Sequence, residues 1–377
     1  MADVTTNPAE LSAKQARLLE LLKKQKRKET AAGPPSTAIP RRGSEPAVLS
    51  FGQKRLWFIE QLQPGSAAYN VPGGVRIRGP LDAGILQRCL DETGRRHEIL
   101  RTSFRVVDGE PVPVIAARPS LRLVVTDLRG VPEAEREAEA ARVIKAEVLQ
   151  PFDMTQDPLS RTCLIRLGDE EHLFLLVLQH IICDIWSVGV FFRTMMALYD
   201  GFVLGRPPAM PELPIQYADY AVWQQRLLQG ESLEGLLSYW KGQVAGAPFV
   251  IDLPVDHPRP AIQSFDGGRC YLHLGVGRTE ALKAAGKEQD ASLYMVLLAA
   301  LQTLLYRYTG QEPVLVGVPM ANRNRLELEG LIGLLFNALV LRADFPAGAS
   351  FRSVLAEVRE RTLGAFAHQD LPFERLV

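Results

Sequence analysis

The chain has 377 residues, 47% of them hydrophobic, and its 43 basic side chains balance its 43 acidic ones. That length suits two lobes better than one compact core, and a net charge of zero gives no indication of a nucleic-acid or polyanion partner. The four cysteines are too widely spaced for a zinc site or a disulfide framework, so we expect reduced thiols, no metal and a cytoplasmic protein. No apolar run is long enough to span a bilayer, and the N-terminus lacks the order of a signal peptide, so we expect no membrane partner.

The first 50 residues differ from the rest of the sequence. Leucines between Leu11 and Leu22 predict one short helix, a basic run follows it, and a Pro/Gly-rich stretch that extends to Gly43 is typical of a linker. The helix and the basic run have two interpretations: a contact with an acidic partner protein, or a solvated connector between domains.

Residues 51–230 alternate between strand-like runs and helical patterns, which predicts an α/β first lobe. We expect strands and helices over the following residues: 75–77, 121–125 and 172–178 for the strands, and 82–95 and 133–149 for the helices. Residues 231–262 contain several prolines and are predicted to connect the two lobes. The second lobe, 263–377, is predicted to hold a helix from Arg278, a longer helix over 292–308 and a strand over 314–318.

One stretch in the middle of the chain joins a buried strand to a helix. Residues 172–178 are an apolar run of strand length, typical of a central strand covered on both faces, and His180 lies just past its end. From Trp186 onward, apolar residues recur at three- and four-residue steps, the pattern of an amphipathic helix. Asp184 and Ser187 lie near its start, where either can cap free backbone N–H groups.

His180 and Asp184 have two interpretations. In the simpler one, His180 is a polar residue at a strand end and Asp184 is a helix cap. In the functional one, His180 is a base, because imidazole titrates near neutrality and can accept a proton from an amine or a hydroxyl. Asp184 then fixes the loop through an arginine. A His-x-x-x-Asp spacing often occurs by chance, so the spacing alone does not decide between them.

Six segments from residue 49 onward resemble, in order and spacing, the core motifs of the condensation domains of nonribosomal peptide synthetases. They are 49–58, 96–104, 176–187, 217–224, 317–323 together with 330–337, and 368–374. The third segment is similar to the family's active-site motif, His-His-x-x-x-Asp-Gly, in which His180 matches the second, functional histidine.

The resemblance implies an α/β (α+β) fold with two lobes like those of chloramphenicol acetyltransferase, arranged in a V with the active-site motif between them. It also implies a reaction, in which the amine of an aminoacyl thioester attacks an acyl or peptidyl thioester and forms an amide. Both substrates would arrive through tunnels on opposite faces, on the 4′-phosphopantetheine arms of an upstream and a downstream carrier protein. Adjacent synthetase domains are further expected partners, and the domain itself is expected to bind no cofactor.

The resemblance also assigns roles to residues. His180 and Asp184 are the expected catalytic residues, and the rest of the motif is expected to support them: Gln179, Cys183, Ile185, Trp186 and Ser187. Arg323 in the fifth segment is the first candidate for a partner of Asp184, because a buried carboxylate without a cation is costly. Arg96 and Arg101 are the next candidates. His97 and His368 lie inside motif segments and are interpreted as structural.

Two positions depart from the family's motif. Gln179 replaces the first histidine, a mild change because an amide still forms hydrogen bonds. Ile185 replaces the glycine, and glycine at a turn often indicates a positive φ or a close backbone approach, which a β-branched residue tolerates poorly. The Ile185 side chain is also expected near the path of an incoming arm. There it narrows the acceptor route, selects a different acceptor or marks a domain that no longer condenses.

Three functions therefore stay open. They are an amide-forming condensation domain, an acyltransferase that uses a free coenzyme A thioester, and a non-catalytic module that recruits a partner to the assembly line. The resemblance also implies a strand-rich stretch after the sixth motif, which the sequence does not reach. We therefore expect either a fragment or a second lobe that is truncated.

Overall fold

The computed structural model describes residues 38–118, 121–156, 158–206, 210–260 and 267–376. The N-terminal helix and basic run predicted from the sequence lie outside these residues. From Pro40 onward the described residues form one compact unit, whose first and second halves each contain a sheet or strand pair of their own. None of the helices in the described part of the chain is both long and apolar enough to cross a membrane.

The first half alternates helices and strands, as predicted. Its helices are α1 (Phe51–Leu62), α2 (Ala83–Arg96), α3 (Glu133–Leu149), α4 (Ile185–Val203) and α5 (Tyr217–Leu227). Its strands are β1 (Asn70–Arg78), β2 (Thr102–Val107), β3 (Glu110–Ile115), β4 (Leu123–Asp127), β5 (Ser160–Arg166) and β6 (Glu171–Gln179). Two short 3-10 turns accompany them, Glu98–Arg101 and His180–Ile182.

Strand β6 lies inside the main sheet, whose strand order is β1-β6-β5-β4. It pairs antiparallel with β1 and β5, and β4 joins β5 in parallel. Residues 174–179 of β6 are all buried, which explains why an almost unbroken apolar run forms this strand. Asn70 pairs with Gln179, so β1 begins beside the turn that carries His180.

Helix α4 starts at a capping box and packs closely on this sheet. Asp184 is its N-cap and accepts the Ser187 N–H, while the Ser187 side chain accepts the Asp184 N–H. On β1, a Cβ added at Gly73 would lie 2.5 Å from Cγ1 of Val188. Only glycine therefore allows the start of α4 to approach β1 this closely.

The second half is built around an antiparallel strand pair with helices packed against it. Its helices are α6 (Gly230–Val244), α7 (Val276–Glu288), α8 (Leu293–Thr309), α9 (Leu326–Glu329) and α10 (Phe351–Ala367). The paired strands are β7 (Val314–Met320) and β8 (Asn337–Ala343), and a short 3-10 turn follows at Phe373–Arg375. One core cluster joins these elements, with buried residues that include Trp240, Val296, Leu339 and Val358.

Helix α6 lies within the segment that the sequence predicts as a connector, 231–262. Its Trp240 is buried in the core of the second half, and Leu233, Leu236 and Leu237 pack against that core. The steps of three, four and seven residues from Leu233 are those of one helix face. The first part of the segment is thus helical and packed on the second half, and residues 247–260 are irregular.

The strand pair of the second half brings its loops to one end. Met320 pairs with Asn337, so the loops 321–325 and 330–336 start or finish beside each other. The Asn337 amide also donates to the carbonyls of Gln369 and Leu371, at 2.8 and 2.7 Å. The fifth and sixth motif segments therefore meet at this end, facing the start of α4.

Candidate active site

His180 opens the short turn between β6 and α4. The Gln179 side chain caps this turn by accepting the Ile181 N–H, and the Gln53 amide donates to the Ile181 carbonyl at 3.0 Å. The His180 N–H donates to the Tyr69 carbonyl at 2.9 Å. Gln179 therefore has a structural role here, because its amide fixes the backbone that carries His180.

The imidazole of His180 is half-buried and held in one orientation. Its Nδ1 lies 2.7 Å from the Cys183 carbonyl oxygen, an acceptor, so Nδ1 carries the hydrogen. In a neutral ring the lone pair then resides on Nε2, which can accept a proton or a hydrogen bond. Two aromatic rings lie close to the imidazole, with centroids 6.4 Å away for Tyr69 and 6.2 Å away for Phe336.

Asp184 is 3% exposed, and its carboxylate accepts three hydrogen bonds on each oxygen. On Oδ1 the donors are the Ser187 N–H, the Ser187 hydroxyl and Nη2 of Arg323, at 2.9, 2.7 and 2.9 Å. On Oδ2 they are Nη1 of Arg323 and the N–H groups of Leu335 and Phe336, at 2.7, 3.1 and 3.2 Å. Asp184 thus joins the start of α4 to two loops of the second half.

Arg323 is the cation that the structure places against Asp184. The pair is bidentate, and both side chains are almost wholly buried, so each charge depends on the other for compensation. The other two sequence candidates, Arg96 and Arg101, donate instead to backbone carbonyls within the first half, those of Pro211 and Ala116. The structure therefore brings one of the three candidate arginines to the carboxylate.

Trp186 and Ser187 extend the junction between the halves. The Trp186 indole N–H donates to the Glu329 carbonyl at 3.0 Å, and the Arg323 guanidinium lies 5.5 Å from the centre of the indole ring. The Ser187 hydroxyl accepts the Gly333 N–H at 3.0 Å. The first turn of α4 is therefore bound to the second half at Asp184, Trp186 and Ser187.

Tyr217 packs against the loop 330–336 of the second half, a role that the sequence does not indicate. Its hydroxyl donates to the Leu334 carbonyl at 2.8 Å and lies 2.8 Å from the Ser50 hydroxyl. A Cβ added at Gly333 would lie 1.9 Å from Cδ2 of Tyr217. This packing therefore requires glycine at position 333. In the sequence, this requirement is indicated only by the place of Gly333 in a motif segment.

Ile185 does not have the strained backbone expected from the replacement of glycine. It is the first residue of α4, its φ is not positive, and its side chain is 77% exposed. The expectation of a positive φ or a close approach is therefore wrong, because a residue at the start of a helix has ordinary helical torsions. The replacement of the motif's glycine by Ile185 therefore adds an apolar side chain that is exposed to solvent, two residues before Ser187.

Cys183 contributes its backbone rather than its thiol. Its carbonyl holds His180, and its Sγ lies 3.5 Å from the Gln179 carbonyl oxygen. Burial raises the pKa of the Cys183 thiol well above its usual value, and the Asp184 charge acts in the same direction. The thiol is therefore kept protonated and unreactive.

Metal ligation has no candidate in the part of the chain that the structure describes. Within those residues no group of three or more His, Cys, Asp or Glu side chains is arranged to hold an ion. The polar chemistry near His180 consists of the imidazole and the hydrogen-bonded carboxylate–guanidinium pair.

Comparison with known proteins identifies the family. Residues 44–377 match the family model described as "Condensation domain". One of the linear gramicidin synthase proteins of Brevibacillus parabrevis is 51% identical over 329 residues, which are 87% of this chain and 6% of that protein. The chain therefore spans a small part of the length of this relative.

Solved structures agree with this match. A complex of the X-domain and OxyB from teicoplanin biosynthesis is similar with a TM-score of 0.80 and 31% identity, over 91% of this chain and 74% of that chain. The first condensation domain of the calcium-dependent antibiotic synthetase, with a substrate analogue, gives a TM-score of 0.73 and 26% identity, over 88% and 77%. The predicted α/β fold, like that of chloramphenicol acetyltransferase, is confirmed.

This chain belongs to the condensation domain family, and its resemblance to the condensation domains of nonribosomal peptide synthetases is confirmed. Condensation domains of these synthetases are amide-forming acyltransferases that work on substrates carried on phosphopantetheine.

Proposed function

We propose that this chain forms an amide bond between two carrier-bound substrates. The donor is an acyl or peptidyl thioester on an upstream carrier protein, and the acceptor is the amine of an aminoacyl thioester on a downstream carrier protein. The proposal assigns the proton-handling role to His180 and positioning roles to Asp184 and Arg323.

The tautomer of His180 carries the proposal. Because Nδ1–H is committed to the Cys183 carbonyl, a neutral imidazole presents the lone pair of Nε2. This nitrogen either accepts a hydrogen bond that orients the acceptor amine or takes a proton from that amine as it attacks. Both roles need the same tautomer, and the Cys183 carbonyl provides it.

The reaction exchanges a thioester for an amide. The acceptor nitrogen attacks the donor carbonyl carbon, the C–N bond forms, and the C–S bond to the upstream arm breaks. The proton lost by the nitrogen leaves by way of His180 and ends on the released thiol, so the imidazole returns to its neutral form. Two tethered reactants held in line gain a large rate advantage from proximity alone.

Asp184 supports this chemistry at a distance. Its partners are the start of α4 and the second half of the chain, so it fixes the turn that carries His180 and the loop that carries Phe336. Arg323 compensates its charge and thereby keeps both loops in place.

The proposed partners are the two carrier proteins and the neighbouring domains of a synthetase. The 4′-phosphopantetheine arms arrive with the carriers, so the proposal needs no cofactor held by the domain itself. We place the protein in the cytoplasm, where its four unpaired cysteines would stay reduced.

A second candidate function is a module that recruits another protein to the assembly line. Two observations favour it: the likeness to the X-domain, which was solved as a complex with OxyB, and Ile185 in place of the motif's glycine. The presence of both His180 and Asp184 from the active-site motif favours amide formation over this candidate.

Single-turnover transfer followed by intact-protein mass spectrometry tests the proposal. The protein, in its native module, is mixed with a donor-loaded carrier and with carriers loaded with different amino acids. We expect the donor mass to move to the acceptor carrier, and His180→Ala to slow this transfer about 100-fold or more. His257→Ala, at an exposed histidine, is the matched control and keeps the wild-type rate.

The same assay separates the two candidates. If no acceptor receives the donor mass from the wild-type protein, the proposed amide formation is wrong and the recruiting function is favoured. Full activity of His180→Ala would instead remove His180 from the mechanism.

A further inference from the structure

The two halves of the chain each place one aromatic ring beside His180. Tyr69 comes from the residue before β1, and Phe336 from the loop before β8. Their rings are tilted by 48° and 49° to the imidazole, at centroid distances within the range of packed aromatic pairs. Both residues are only half-buried, so part of each stays accessible near the imidazole.

The backbone of Phe336 is fixed on both sides. The N–H groups of Leu335 and Phe336 donate to Oδ2 of Asp184, and the next residue, Asn337, donates to the carbonyls of Gln369 and Leu371. The backbone that carries the ring is therefore held in place, and the ring moves only by rotation of its own side chain. An aromatic side chain on a fixed backbone discriminates between substrates by size better than one on a mobile loop does.

Phe336 also borders a small polar cavity. The residues that line it with Phe336 include Asn322, Asn337, Asp370 and Glu374. Phe336 thus lies close to His180 and also borders this cavity. Loss of the ring would leave more room beside the imidazole of His180.

In the proposed reaction the acceptor is the substrate whose side chain begins nearest to Nε2 of His180. Its amine nitrogen is the atom that meets Nε2, at a hydrogen-bond distance of about 3 Å. The first side-chain carbon of the acceptor is two bonds from that nitrogen. The corresponding donor carbon is two bonds from the donor carbonyl carbon, which itself lies about 3–3.5 Å from that nitrogen before reaction.

We propose that Phe336, with Tyr69, forms the acceptor side-chain subsite and that the Phe336 ring sets an upper limit on the size of the acceptor side chain. The subsite takes uncharged acceptors of small or moderate size and excludes large ones. This inference rests on the proposed amide-forming function. It assigns Phe336 a role in specificity, distinct from the proton handling of His180.

A competition assay tests the subsite. Alanyl and tryptophanyl acceptors are loaded on the same carrier protein and offered together at equal concentration, and the two products are counted by mass. Their ratio equals the ratio of kcat/KM values and does not depend on how much of each variant is folded. We expect the wild type to favour alanyl, and Phe336→Ala to raise the tryptophanyl share at least 10-fold, the effect of about one methylene in a pocket.

Two further variants complete the experiment. Phe336→Leu should give an intermediate ratio, and Phe249→Ala, at a phenylalanine that is 100% exposed, should give the wild-type ratio. An unchanged ratio in Phe336→Ala, with both products still formed, would overturn the subsite and leave the proposed function intact. No product from the wild type with either acceptor would overturn both.

Discussion

The guanidinium of Arg323 binds both carboxylate oxygens of Asp184, at 2.7 and 2.9 Å, across 139 positions of sequence. The bond connects the first turn of α4 to the loop after β7. Because Asp184 also accepts the N–H groups of Leu335 and Phe336, this one carboxylate binds two loops of the second half.

The effects of removing Arg323 and Asp184 on stability should not be additive, because each charge compensates the other. Arg323→Ala leaves a buried carboxylate without a cation, so we expect a loss of about 3–5 kcal/mol in the free energy of unfolding. The double variant with Asp184→Ala should lose less than the sum of the single variants. Urea unfolding measures each value. Arg142→Ala, at an exposed ion pair with Glu139, should cause no measurable change, and an equally small effect of Arg323→Ala would contradict the assignment.

Ile185→Gly should change access without disturbing the fold. The residue has ordinary helical torsions and an exposed side chain, so we expect a stability loss of about 1 kcal/mol or less. If the isoleucine obstructs an incoming arm, single-turnover transfer should become faster. The control is Val276→Gly, at the first residue of α7, 81% exposed. Unchanged transfer in Ile185→Gly would rule out obstruction.

His97 should make the protein sensitive to acid. Burial, aided by the nearby Arg96 charge, lowers the pKa of His97 to about 3. The unfolded chain takes up a proton near pH 6.5 while the folded protein does not, so stability is lost as the pH falls from about 6.5 towards 3. This group alone should contribute a loss of about 1.4 kcal/mol between about pH 7.5 and pH 5.5.

Urea unfolding at these two pH values measures the effect. His97→Gln should show a smaller loss than the wild type, whereas His257→Gln, at an exposed histidine, should show the same loss as the wild type. A wild-type loss that His97→Gln does not reduce would mean that other groups cause the acid sensitivity.

Gly333→Ala should disturb the loop 330–336, which binds the start of α4. The new methyl group would lie 1.9 Å from the Tyr217 ring, so the loop or the ring must shift, at a cost of about 1–3 kcal/mol. Transfer should slow as well, because the same loop holds Asp184 through the N–H groups of Leu335 and Phe336. Gly235→Ala, in α6 with nothing within 4 Å of the added Cβ, is the control and should be neutral or stabilising. Wild-type transfer and stability in Gly333→Ala would show that the loop is more tolerant than its packing suggests.

Elements with a strong local pattern could be predicted from the sequence. The helix expected over 133–149 has those bounds in α3, and the apolar run before His180 forms β6. The prolines after Gly246 favour a connector over 231–262. The helical spacing of Leu233, Leu236, Leu237 and Trp240 is also present in the sequence, and it indicates the helix that the structure contains.

Residues of the candidate site could be predicted only where they lie in a segment that resembles a family motif. His180, Asp184 and Arg323 lie in segments that resemble family motifs, and the structure places the last two in contact. The N–H groups that bind Asp184 leave no trace in the sequence, since every residue except proline has one. The approach of Tyr69 and Phe336 to His180 depends on how the two halves pack, which no local pattern encodes.

The hydrogen bonds of Asp184 also determine when, during synthesis of the chain, this site can form. Four of its six donors come from Arg323, Leu335 and Phe336, the last of them 152 positions later in the chain. At about 5–20 residues per second, a ribosome needs roughly 8–30 s to reach Phe336 after Asp184. During that interval the carboxylate of the nascent chain lacks four of its six donors, and the arrangement around His180 is completed only after the second half has been made.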